Sequence, residues 1–149
     1  MSTNTVRLHR VIAAKPAKVY KAFIDPDAMA RWLPPDGFTA KMYESEPRAG
    51  GRYRMSFTNF TTGNTHAFGG EYLELVPDRK LRYTDKFEDP ALSAADIEVT
   101  VELKAVPAGT ELHIVQSGLP EMIPLDGCYL GWQQSLNNLA RLVEPEINE

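Results

Sequence analysis

The chain has 149 residues, of which 43% are hydrophobic and 24% are charged, and its formal net charge is −4. A chain of this length buries enough surface to fold as one domain, residues 1–149, without a metal or a disulfide. The acidic balance argues against a nucleic-acid-binding protein, which usually carries a basic face, and the single cysteine, Cys128, excludes an intrachain disulfide.

The N-terminal residues contain no apolar run of the kind that forms a signal peptide. No stretch approaches the ~18 apolar residues of a membrane span. The sequence therefore predicts a cytoplasmic protein that makes no contact with a membrane.

The first predicted element is a strand. Residues 5–13 place Val6, Leu8 and Ile12 on one face and polar residues such as His9 on the other, which is the period of a strand.

Two short helices are predicted next. Pro16 suits a first helical turn, and apolar residues recur at a spacing of three to four over residues 17–24. Asp25 and Pro26 interrupt this pattern. A second helix is predicted over roughly Pro26–Leu33, and the residues 34–37 (PPDG) end it.

The middle of the chain has the pattern of β-structure. Tyr53, Met55 and Phe57 alternate with polar residues, which is typical of a strand with one buried face. The paired glycines at 50–51 and 69–70 lack the lysine and following helix of a phosphate loop, so bulges or turns are the better interpretation. Strands are predicted over residues 38–46, 52–58, 65–76 and 80–87.

The last two strands and the final helix have the clearest pattern. Apolar and polar residues alternate from Ile97 to Lys104 and from Leu112 to Gln116, and residues 118–127 are predicted as a loop. A helix is predicted over about 127–143, with Asp126 as its N-cap. Its apolar stripe consists of Cys128, Trp132, Leu136, Leu139 and Val143.

This order of elements predicts an α+β helix-grip fold. One long amphipathic C-terminal helix must cover the apolar face of an antiparallel sheet of about seven strands, with two short helices after the first strand. A sheet of this length curves, so the helix is expected to lie in its concave side.

Several segments resemble the START-like (SRPBCC) superfamily and, within it, the family of the activator of heat-shock-protein-90 ATPase homologue. They are the entry segment Arg10–Trp32, the glycine element Glu46–Tyr53, the segments Gly70–Tyr72, Val76–Leu81 and Gly118–Pro120, and the helix segment Gly131–Leu136. Glu46 stands where the family more often has Asp.

The resemblance implies a helix-grip domain that binds ligands. The superfamily also includes lipid carriers, polyketide cyclases and ring-hydroxylase subunits. Co-chaperone activity belongs to longer eukaryotic relatives with an additional N-terminal domain, for which this chain has no room, so that activity is not expected to carry over.

The residues predicted to face the interior mix aromatic rings with methionine, which adapts to irregular apolar shapes. Pockets for small apolar molecules are lined in this way, although the same side chains could also meet and fill a core. The candidate ligand-binding residues are Trp32, Met42, Tyr53, Met55, Phe57, Phe68, Tyr83, Val99, Val101, Ile114, Gln116, Cys128, Trp132 and Leu136.

Two polar residues have the parity of inward-facing positions. Gln116 follows Ile114 on the apolar face, and a buried amide needs a hydrogen-bond partner. Asp85 shares the parity of Tyr83, but its place near a strand end favours a solvent-exposed carboxylate over a buried acid or base.

No catalytic or metal-binding pattern is evident. His9, His66 and His113 lie on three separate strands, so no metal and no cofactor are predicted. Cys128 lies near a helix N-terminus, where a thiol pKa can fall, but its place on the apolar stripe favours a small packed residue.

The leading hypothesis is a protein that binds a small hydrophobic or aromatic molecule between the sheet and the last helix. One alternative is a cyclase or hydrolase acting on a polyketide-like substrate, with Tyr83, Asp85 and Gln116 as its polar groups. Another is a co-chaperone-like protein-interaction module, and a protein partner or a homodimer stays open.

Overall fold

The computed structural model describes residues 3–149. It confirms the predicted order of elements: one strand, two short helices, six further strands and one long helix. The elements are β1 (Thr3–Ile12), α1 (Pro16–Ile24), α2 (Pro26–Trp32), β2 (Phe38–Ser45), β3 (Arg52–Asn59), β4 (Thr65–Val76), β5 (Lys80–Phe87), β6 (Ile97–Val106), β7 (Gly109–Pro120) and α3 (Leu125–Val143).

The seven strands form one curved antiparallel sheet in the order β1-β7-β6-β5-β4-β3-β2. From β2 to β7, consecutive strands pair with one another, and β2 is one edge of the sheet. β1 forms the other edge and pairs with β7, where His9 lies opposite His113. The predicted helix-grip fold is confirmed.

The predicted boundaries around α3 need correction. β7 continues to Pro120 and α3 begins at Leu125, so the loop between them is shorter than the sequence pattern indicated. The N-cap is Pro124, without a side-chain hydrogen bond, and Asp126 lies inside the first turn. There its negative charge faces the positive end of the helix dipole, which is favourable without a capping bond.

The two short helices are joined by one shared residue. Asp25 ends α1 and caps α2, its side chain accepting a hydrogen bond of 3.0 Å from the backbone N–H of Ala28. Trp32 at the end of α2 is fully buried and donates its indole N–H to the carbonyl of Ala22 at 2.8 Å. Both helices are therefore fixed against one another beside the sheet.

The two halves of α3 have different surroundings. Leu136, Leu139 and Val143 in its second half are buried in the main core with β6 and β7 residues such as Val101 and Leu112. In the first half, by contrast, residues 125–132 are only half-buried or exposed. The C-terminal half of the helix is therefore anchored in the main core. In the N-terminal half, Cys128 and Trp132 pack toward β1, β6 and β7, and the helix stands off the other side of the sheet, over β3 to β5.

Within residues 3–149, none of the helices combines the length and the apolar character needed to cross a membrane.

Candidate functional site

A cavity of about 350 Å³ lies where the first half of α3 stands off the sheet. Its walls come from α1, α2, the loop after α2, five strands and α3. The lining residues are Phe23, Met29, Leu33, Pro35, Phe38, Tyr53, Phe57, His66, Phe68, Tyr72, Tyr83, Asp85, Phe87, Gln116, Gly127, Cys128, Gly131, Trp132 and Ser135.

The two-residue period of the strands brings these side chains to one face. On β5, Tyr83, Asp85 and Phe87 point into the cavity in succession. On β4, Phe68 and Tyr72 share the same parity. The sheet side of the cavity, called its floor below, is therefore a run of aromatic rings with one carboxyl group among them.

Three tyrosines form a cluster at one end of this floor. The ring centroids of Tyr53 and Tyr72 lie 5.6 Å apart, and those of Tyr53 and Tyr83 lie 5.8 Å apart. The hydroxyl of Tyr53 donates to the carbonyl of Thr84 at 3.0 Å. Burial raises the pKa of Tyr53 and Tyr83 well above their usual range and that of Tyr72 to about 12, so all three rings carry neutral hydroxyls at physiological pH.

Asp85 lies inside the cavity, so the interpretation of a solvent-exposed carboxylate at a strand end was wrong. Its Oδ1 atom is buried without a hydrogen-bond partner. The residue as a whole is half-buried and lines the cavity. Burial among apolar groups raises its pKa from 3.8 to about 7. The carboxyl group therefore changes charge near neutral pH.

Gln116 faces inward as predicted and is only 8% exposed. Its Oε1 atom accepts a hydrogen bond of 2.8 Å from the indole N–H of Trp132 on α3. Tyr83, Val99 and Gln116 are register partners across β5, β6 and β7. Tyr83 and Gln116 are separated by two strand spacings, or about 10 Å. Gln116 is therefore a second polar group in the cavity, well away from Asp85.

Two glycines on α3 leave the helix side of the cavity without side chains at their positions. Gly127 and Gly131 are four residues apart on α3 and both line the cavity. A Cβ atom added at either position would meet no other atom within 4 Å. Glycine inside a helix costs about 1 kcal/mol relative to alanine, so at these positions α3 gives up stability and leaves cavity volume open.

Half of the fourteen predicted ligand-binding residues line the cavity. These seven are Tyr53, Phe57, Phe68, Tyr83, Gln116, Cys128 and Trp132. The other seven do not line it and instead pack in or against the core clusters. These are Trp32, Met42, Met55, Val99, Val101, Ile114 and Leu136.

Several lining residues were absent from the prediction. Tyr72 and Phe87 share the strand parity of predicted neighbours, and Gly127 and Gly131 recur at helical spacing, so a signal for these four was present in the sequence. Phe38 and Ser135 also had such a signal, because Phe38 has the parity of Met42 on β2 and Ser135 lies four residues after Gly131 on α3. Phe23, Met29, Leu33 and Pro35 reach the cavity through the way α1, α2 and the following loop pack on the sheet.

Cys128 is half-buried in the cavity wall. Burial raises the pKa of its thiol, so the helix N-terminus does not activate it as a nucleophile. The interpretation as a small packed residue agrees with this environment.

The histidines are less separate than the sequence suggested. His9 and His113 face each other on the outer side of the sheet, and Glu111 contacts both, with Nε2–Oε distances of 3.5 Å and 2.9 Å. The ligand atoms of all three lie within 4.8 Å of one another. Hydrogen bonds from His113 and His9 lower the pKa of Glu111. Both histidines are half exposed, and this cluster lies on the face opposite the cavity.

The fold recurs in solved structures. A crystal structure of a protein from Chromobacterium violaceum is 55% identical to this chain with a TM-score of 0.94, and the match covers 96% of this chain and 99% of the other. A protein from Mesorhizobium loti is 28% identical with a TM-score of 0.73, covering 93% and 96%. A solution structure of an AHSA1-like protein from Aeromonas hydrophila is 19% identical with a TM-score of 0.75, covering 98% and 100%, and shows the fold alone.

None of the curated proteins compared with the chain matches it. The family described as Activator of Hsp90 ATPase homolog 1-like protein matches residues 13–144. This match begins at the end of β1 and reaches the end of α3, so it includes every residue that lines the cavity. The chain therefore belongs to the Activator of Hsp90 ATPase homolog 1-like family.

Proposed function

We propose that the protein binds a small hydrophobic or aromatic molecule in the cavity between the sheet and the first half of α3. The observation that carries this proposal is the cavity itself, about 350 Å³ lined mainly by aromatic and aliphatic side chains. Ligand sites usually measure about 300–1,000 Å³ and have a few polar groups that orient the ligand. Asp85, Gln116 and Ser135 are such groups here.

The energetics of packing support the same proposal. Leaving a core volume unfilled costs roughly several kcal/mol, because the lining atoms lose dispersion contacts. Here the volume persists beside two helix positions, Gly127 and Gly131, where an added Cβ atom would meet nothing within 4 Å. A fold selected only for stability would fill this space.

The ligand is expected to enter near one end of the cavity. His66 and Gly127 are exposed lining residues, whereas Tyr53 and Tyr72 at the other end are almost fully buried. Entry is therefore expected beside His66 and Gly127, where the lining reaches the protein surface.

The neutral fluorescent probe N-phenyl-1-naphthylamine is expected to bind this cavity. At about 0.4 kcal/mol per non-hydrogen atom, its dissociation constant would be roughly 10 μM. Energy transfer from Trp132, which lines the cavity, to the bound probe gives the signal. Trp32 also contributes to this transfer, because it packs against the cavity-lining Phe23 with ring centroids 4.8 Å apart. The transfer therefore measures binding, and the position of the probe needs a separate test.

A variant that fills part of the cavity tests where the probe binds. Gly131→Phe places a ring in the open volume and is expected to weaken binding at least about tenfold. The matched control is Leu130→Phe, which adds the same ring at an exposed position of the same helix. Equal probe affinity in the wild type and the Gly131→Phe variant would contradict binding in the cavity.

A second candidate function is an enzyme that uses Asp85 as a general acid or base. The observation in its favour is the pKa of Asp85, about 7, inside a cavity that could hold a substrate. Asp85 is the only carboxyl group among the lining residues, so a hydrolase mechanism with two carboxylates has no second partner there. Binding therefore remains the function that the geometry supports better.

A further inference from the structure

Asp85 is an acid whose environment provides no partner. We propose that the cavity selects a ligand whose apolar body carries a protonated amine, and that this ammonium group pairs with the Asp85 carboxylate. The inference rests on the proposed function, because it assigns the chemical class of the molecule bound at that site.

The buried carboxyl group of Asp85 lacks a hydrogen-bond donor among the described residues. Buried polar atoms in folded proteins are nearly always hydrogen-bonded, yet Oδ1 of Asp85 accepts no hydrogen bond. Neither a lysine nor an arginine is among the residues that line the cavity in the described part of the chain. The partner that a buried carboxylate needs must then come from whatever occupies the cavity.

Aromatic side chains surround this carboxyl group. Tyr83 precedes Asp85 by two residues on the same face of β5, and the hydroxyl of Tyr53 donates to the carbonyl of the adjacent Thr84. Phe87 follows Asp85 by two residues on the same face of β5. Aromatic rings attract cations through their negative faces, so the surroundings favour an ammonium group over a neutral donor.

The carboxyl group of Asp85 is already desolvated in the folded protein. A carboxylate loses its hydration when it enters an apolar site, and for Asp85 this loss occurs on folding. A ligand that brings a positive charge therefore meets an acceptor that is already desolvated and fixed in place. A ligand that brings a carboxylate would meet like charge and is expected to be rejected.

Other lining groups that can change charge are few. They are the three tyrosines, which stay neutral near physiological pH, the thiol of Cys128 and the imidazole of His66. A pH dependence of amine binding between pH 5.5 and 8 therefore points to Asp85 or His66. A His66→Asn variant separates the two.

Three naphthalene probes of similar size test the inference by displacement of N-phenyl-1-naphthylamine. 1-Naphthylmethylamine carries an ammonium group, 1-naphthylmethanol a neutral donor and 1-ethylnaphthalene no donor. At pH 8 the amine is expected to bind the wild type roughly tenfold more tightly than the other two. This preference should disappear in Asp85→Asn and persist in Asp96→Asn, which removes an exposed carboxylate outside the cavity.

The amine preference should fall at pH 5.5, where Asp85 is protonated, and should fall equally in His66→Asn. Equal affinities of the amine and 1-ethylnaphthalene in the wild type would overturn the inference while leaving cavity binding intact. Equal affinities of the amine and the alcohol would overturn the preference for positive charge. If 1-ethylnaphthalene and the parent probe both fail to bind, the proposed function itself is lost.

Discussion

Replacing Asp85 with asparagine is expected to stabilise the folded protein by on the order of 3 kcal/mol at pH 8 and to change its stability little at pH 4. The pKa of Asp85 is about 7 in the folded protein because burial opposes its negative charge, against 3.8 for the free side chain. Unfolding releases this carboxyl group into water, where it ionises freely.

The sign of the pH dependence follows from proton binding. Between about pH 4 and pH 7 the folded state holds a proton on Asp85 that the unfolded state has released. The wild type therefore loses stability as the pH rises through this window and reaches a plateau above about pH 7. Asparagine carries no charge, so the variant lacks this loss.

Urea denaturation of the wild type, Asp85→Asn and Asp96→Asn at pH 4 and pH 8 measures the effect. Asp96 is exposed, so its replacement should leave the pH dependence of the wild type unchanged. A stability difference between wild type and Asp85→Asn that is the same at both pH values would show that the carboxyl group is well solvated.

Gly70→Ala is expected to destabilise the protein by about 3 kcal/mol. A Cβ atom at Gly70 would collide with the backbone carbonyl oxygen of Thr84 on the neighbouring strand. That carbonyl cannot move freely, because it accepts the hydroxyl hydrogen of Tyr53, while the Thr84 hydroxyl accepts a hydrogen bond from the backbone N–H of Glu71. The two strands would have to separate beside Asp85.

The matched control is Gly131→Ala. Its Cβ atom meets nothing within 4 Å, and alanine favours a helix, so a gain of about 0.5–1 kcal/mol is expected. Urea denaturation of both variants at one pH gives the comparison. A Gly70→Ala variant as stable as the wild type would show that β4 and β5 can move apart at this point.

The fold could be predicted from the sequence because the signals that define it are local. Alternation from Ile97 to Lys104 identifies β6, and the proline and glycine positions separate the other elements. The inward direction of Gln116 follows from the same alternation. These features require no knowledge of how the helices pack on the sheet.

The extent of the cavity could not be predicted in this way. Periodicity shows that Val99, Val101 and Ile114 face α3, but it does not show how far α3 stands from the sheet at each turn. The helix is closest along its second half, so these residues fill the core. Above Phe68 and Tyr83 it stands away, and the same kind of side chain lines a cavity.

The surroundings of Asp85 could not be predicted from the sequence pattern either. Its parity predicted an inward position, whereas its place near the end of β5 suggested solvent. The deciding fact is tertiary: Phe87, Cys128 and Trp132 pack around the buried residues at this end of the sheet and cover the strand end. No pattern within β5 predicts that these side chains cover the end of the strand.

A crystal soaked with 1-bromonaphthalene tests the central claim most directly, since the anomalous signal of bromine locates the bound ring. We predict a peak inside the cavity among Phe68, Tyr83 and Trp132, and its loss in crystals of the Gly131→Phe variant. An empty cavity, with bromine found only at the protein surface, would contradict the claim that this domain binds small apolar molecules.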